Sequence, residues 1–67
     1  MSGQVFVLTY EMTDNPSEII AASYDRAALV SLATEKFRRD ASALLTDPAF
    51  ELGDWEEVRI TEVDLIQ

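Results

Sequence analysis

Hydrophobic spacing in this chain changes once, at Asp25, and that switch limits the possible folds more than any other feature. Ahead of it, Gln4 to Met12 is β-branched, aromatic or aliphatic, and Glu18 to Tyr24 has the length and residue types of a second strand. Thr13-Asp14-Asn15-Pro16-Ser17 between them is a cluster of turn formers, so the two runs read as a β-hairpin. Behind Asp25 the period becomes 3.6: Leu29 or Val30, Ala33, Phe37, Ala41 and Leu44 or Leu45 recur at three- and four-residue steps. Arg26, Glu35, Arg38 and Arg39 take the outer face of this helix. Asp25 caps its start, and Pro48, which disfavours a helical Asp47, sets its end near Leu45.

Past the helix, Thr46 to Glu51 reads as one more helical turn, with Asp47 as N-cap and Pro48 in the first position, before Gly53 breaks the chain. Phe50 and Leu52 pin this loop to the core. The last strand runs from Trp55 to about Ile66, where the apolar phase slips: Val58 and Ile60 share one face, Val63 and Leu65 the other. A bulge near Thr61-Glu62 reconciles them, burying Val58, Ile60, Val63 and Leu65 and turning Glu57, Arg59, Glu62 and Asp64 outward. The expected architecture is α+β, ββαβ, in a single domain spanning residues 1–67. It is a three-stranded antiparallel sheet of order 2-1-3 with one long helix on one face. The first strand is central, with Phe6, Leu8 and Tyr10 toward the helix and Val5, Val7 and Ile19 or Ala21 uncovered.

Composition narrows the chemistry. The 67 residues include neither Cys nor His, which excludes disulfides, thiolate or imidazole metal sites and cysteine nucleophiles. The 48% apolar content is that of a chain that folds. Ser31 and Glu35, four apart on the helix, read as a local hydrogen bond, and Glu56 and Glu57 point to opposite faces, unlike a facing carboxylate pair. No enzyme, cofactor or metal is expected. Met1-Ser2-Gly3-Gln4 lacks a basic signal region, no run is long enough to span a membrane, and Pro16 disqualifies Asn15-Pro16-Ser17 as a glycosylation site. The expected setting is the cytoplasm.

The net charge of −8 is unevenly spread. Lys36, Arg38 and Arg39 make the helix locally basic; phosphate or an acidic protein patch is one contact for such a run, but it reads as a plain solvated helix face whose expected use is pairing with nearby acids. From residue 47 onward Asp47, Glu51, Asp54, Glu56, Glu57, Glu62 and Asp64 face only Arg59. Such a field repels nucleic acid and attracts a basic partner. Carboxylates along one strand face repeat every ~6.8 Å, on the scale of a phosphate backbone. The bland alternative is a solvated face that maintains solubility. Trp55 reads either as a lid over the core or as a binding anchor. The candidate partner-binding set is Glu51, Asp54, Trp55, Glu56, Glu57, Glu62 and Asp64.

The pattern of residues 4–12, 18–24, 26–45 and 55–66 resembles very small acidic ββαβ proteins of bacteria and their phages, among them anti-CRISPR inhibitors, some of which imitate DNA. That resemblance lies in architecture and charge and implies a non-enzymatic inhibitor, in the host cytoplasm if phage-encoded. Its partner would be a larger protein with a basic, nucleic-acid-binding surface. Two other readings stand beside it: a homodimeric adaptor joined through Val5, Val7 and Ile19 or a strand edge, and a regulator that docks through the helix or Trp55 with charge incidental.

Overall fold

A computed structural model describes residues 3–65. Ile66, the predicted end of the last strand, lies outside the described residues, as do Met1 and Ser2. The elements are β1 (Gly3–Met12), β2 (Asn15–Ser23), α1 (Arg26–Phe37), a 3-10 turn (Ser42–Leu45), β3 (Ala49–Gly53) and β4 (Glu56–Leu65). One antiparallel sheet of four strands, order β2-β1-β4-β3, carries α1 and the 3-10 turn on one face. The α+β class and the place of β1 between β2 and the last strand agree with the sequence reading. The sheet has four strands rather than three.

The extra strand replaces the predicted helical turn after Asp47. Phe50 and Leu52 alternate with Ala49 and Glu51, so the segment buries two side chains at period two, and Gly53 to Glu56 closes a hairpin onto β4. Pro48 lies just outside this strand; its carbonyl accepts from the Ile60 N–H at 2.9 Å, and it has no N–H to return.

The helix starts where predicted, with the Ala27 N–H donating to the Asp25 carboxylate at 3.0 Å, but it stops at Phe37 instead of Leu45. Arg38 turns left-handed at φ 54°, and the Thr34 hydroxyl accepts the Ala41 N–H at 3.0 Å, folding the chain back. Ala41 and Leu44 still reach the core, now from the 3-10 turn, which is why the helical period ran on in the sequence. Arg26 holds that turn against α1. Its Nε donates to the Leu44 carbonyl at 2.7 Å, a terminal nitrogen donates to the Asp47 carbonyl at 3.1 Å, and the guanidinium stands 5.9 Å from the Phe6 ring centre.

The core is Leu8, Leu29, Val30, Ala33, Ala41, Leu44, Val58 and Ile60, with Phe6, Tyr10, Phe37 and Phe50 packed around it. Phe6, Leu8 and Tyr10 face the helix as expected, and Tyr10 stacks on Phe37 at 5.6 Å. The predicted bulge at Thr61-Glu62 is absent: β1 and β4 stay in register from Gly3 opposite Leu65 to Met12 opposite Glu56. The irregularities fall instead between β1 and β2, at Leu8/Thr9 and Tyr10/Met12. Without the bulge Val63 and Leu65 belong to the uncovered face, Val63 being 40% exposed, and Glu62 and Asp64 belong to the helix side. Among the described residues no helix is long and apolar enough to cross a membrane.

Candidate functional site

The open face of the sheet grades along its length. At one end Val5 opposes Val63 and Val7 opposes both Ala22 and Thr61; in the middle Thr9 opposes Ile19 and Arg59. At the other end Glu11, Glu57 and Glu51 stand directly opposite one another across β1, β4 and β3. Side chains in such positions have Cβ atoms about 5 Å apart, and like charges there repel. Three carboxylates therefore form a row across the strands.

Arg59 partly neutralises this row. Its guanidinium lies 3.7 Å from Glu11 and 3.5 Å from Glu57, while the Ser17 hydroxyl donates to Glu11 at 2.9 Å. Glu51 has no cation within ion-pair distance among the described residues. Three carboxylates against one guanidinium leave the row a net acidic surface. Among the described residues no group of three or more carboxylates is arranged to hold a metal ion.

Beside the row lie the two hairpin turns. The Thr13 N–H donates to the Trp55 carbonyl at 3.2 Å, tying one turn to the other. That bond fixes the Trp55 backbone while its indole remains 69% exposed, so Trp55 is not the core lid that the sequence allowed. Asp54 and Glu56 flank it, and a shallow open depression joins Trp55 to Glu11, Glu51 and Glu57. On the helix side of this same end, burial and then the neighbouring Glu56 and Glu18 carboxylates hold the Tyr10 phenol above its usual range, so it stays protonated.

The structure therefore divides the predicted set. Glu51, Asp54, Trp55, Glu56 and Glu57 gather at the turn end of the sheet. Glu62 and Asp64 do not join them: they lie on the helix-side face, Asp64 roughly 27 Å along β4 from Glu56 by strand rise. The expected single acidic surface of all six acids is thereby corrected to a compact patch and a separate pair. Glu11 belongs to the patch and was missed, because only the pairing of β1 with β4 places it opposite Glu57. The predicted pairing of the helix bases is also corrected. Lys36, Arg38 and Arg39 are exposed, and the ion pairs among the described residues are those of Arg59. Neither a family model, nor a curated protein, nor a solved structure matches the chain.

Proposed function

We propose that this protein is a non-enzymatic binding module that engages a basic surface of a larger protein through the turn end of its sheet. Nucleic-acid-binding sites are surfaces of that kind, so the role is inhibition by occupancy of such a site. The observation that carries the reading is the cross-strand row Glu11, Glu57 and Glu51 beside the exposed, backbone-anchored Trp55. Carboxylates steer a cationic partner and pair with its Arg or Lys side chains. An indole adds a large, rigid contact and a face for cation–π stacking. The patch is compact, so it imitates a few neighbouring phosphates rather than a long stretch of backbone.

The test is capture of partners from cell lysate on immobilised protein at about 50 mM and about 200 mM salt, where phosphate-like contacts weaken steeply. The variants are Trp55→Ala and the pair Glu51→Lys with Glu57→Lys. Nucleic-acid-binding proteins should be captured at low salt, displaced by short duplex DNA and lost in both variants. A partner retained equally by both variants would refute the reading.

A second reading, self-association through the open face, draws on Val5, Val7, Val63 and Ile19, the last 72% exposed. By strand spacing this apolar half measures about 17 by 14 Å, roughly 240 Å², well below the ~800 Å² per partner of a stable interface. Light scattering at rising concentration checks it.

A further inference from the structure

The outer edge of β4 is only half covered. Strand β3 pairs with Glu56 to Arg59, and the last bond on that side runs from the Ile60 N–H to the Pro48 carbonyl. Pro48 has no N–H, so it returns nothing to the Ile60 carbonyl. Main-chain groups of a strand point to the same side at every second residue. The next outward groups are therefore the N–H and C=O of Glu62 and Asp64, and among the described residues no strand pairs with them. An open depression of about 320 Å³ lies beside this edge, bounded by Arg26, Thr46, Pro48 and Glu62.

The side chains beside these groups determine what can pair there. Glu62 and Asp64 are exposed on the helix-side face, opposite Phe6 and Gln4, and the Gln4 amide donates to Asp64 at 3.3 Å. A second copy of β4 paired antiparallel about Val63 would set Glu62 against Asp64 at two places. Paired about Glu62, it would set that residue against itself. Both registers oppose like charges, which is how sheet edges are protected from their own kind. The same two carboxylates attract a strand carrying cations at those positions.

We infer that the free edge of β4, from Ile60 to Asp64, is a strand-addition site for an extended segment of a partner protein with Lys or Arg at alternate positions. Main-chain bonds supply affinity and the two carboxylates select the sequence. In an antiparallel register the residues opposite Glu62 and Asp64 are those whose own N–H and C=O point to the edge, so the basic residues are the ones that make the hydrogen bonds. This site lies far along β4 from the Trp55 patch and does not rest on the function proposed for it.

The experiment titrates the isotopically labelled full chain with a short peptide alternating Lys and Val, read by amide resonances. Shifts and slowed amide exchange should centre on Glu62 and Asp64. A twin N-methylated at every lysine amide has the same charge but cannot form the ladder, and should bind roughly tenfold or more weakly. A twin N-methylated at every valine amide turns its methyl groups to solvent and should bind like the parent. Glu62→Lys with Asp64→Lys should weaken the parent peptide by a similar factor. Equal binding of the two methylated twins, shifts confined to Glu11, Glu51 and Glu57, or no binding would overturn the proposal.

Discussion

Glu51 faces Glu57 across the β3–β4 ladder and, among the described residues, has no counter-charge of its own, which makes Glu51→Lys the sharpest probe of the acidic row. Two unit charges about 5 Å apart in water repel by about 0.8 kcal/mol, and reversing one of them turns that into a similar attraction. The new lysine also comes diagonally near Arg59, which opposes Ala49, and that repulsion offsets part of the gain. A net stabilisation of about 1 kcal/mol is expected, equivalent to about 4–8 °C in Tm for a domain of this size. The assay is thermal unfolding by circular dichroism at about 0.01 M and about 1 M salt, where the screening length falls from about 30 Å to about 3 Å. The gain should be present at low salt and largely absent at high salt. Glu35→Lys, at an exposed helix position beside Lys36, Arg38 and Arg39, makes the same change in net charge away from the row and adds local repulsion where the segment is already basic. If Glu51→Lys destabilises the protein, or if its gain equals that of Glu35→Lys, the three carboxylates do not repel one another as their register requires. On the function proposed above, the variant that gains stability should also lose capture of a basic partner.

Leu44 is fully buried, so Leu44→Ala should cost about 2–5 kcal/mol in urea unfolding. That is a large share of the total, which for 67 residues is about 3–10 kcal/mol. Arg38 occupies the left-handed region at φ 54°, and Arg38→Gly should stabilise the fold by about 0.5–1 kcal/mol in the same assay. The Ser42 N–H, at 3.0 Å, and then the Ser42 hydroxyl hold the Asp40 carboxyl below its usual range. The stabilisation from a depressed carboxyl is present above the unfolded pKa of about 3.9 and is lost as pH falls through the folded value. Melts of Asp40→Ala and wild type should therefore differ near neutrality and converge in acid.

Local signals were legible wherever one residue type decided the backbone. Asp25 marks the helix start because its carboxylate is needed by a free N–H, and the apolar run of β1 marks a strand covered by neighbours on both edges. The helix end was not legible. No glycine or proline stands there, and an arginine takes the left-handed position instead. Pro16 was read as loop but opens β2, an edge strand, where a missing N–H is tolerated. β3 left a usable trace, since Phe50 and Leu52 at period two ahead of Gly53-Asp54 fit a hairpin as well as a capped turn. At the patch, charge and Trp55 could be read in advance, but Glu11 could not, because no local pattern encodes the register between strands distant in sequence.

Register also separates two uses of acid that composition alone merges. Among the described residues Glu62 and Asp64 border unpaired main-chain groups, where charge deters pairing with another copy and favours a cationic strand. Glu11 and Glu57 lie where their strands have neighbours on both sides and no edge to guard, and solubility would be served as well by carboxylates at exposed helix positions such as Ser31, where none opposes another. Setting Glu51 opposite Glu57, and Glu57 opposite Glu11, costs stability in a fold with little to spare. Interactions absent from the isolated chain but present with a cationic partner would recover that cost, and this supports reading the row as a surface made for contact.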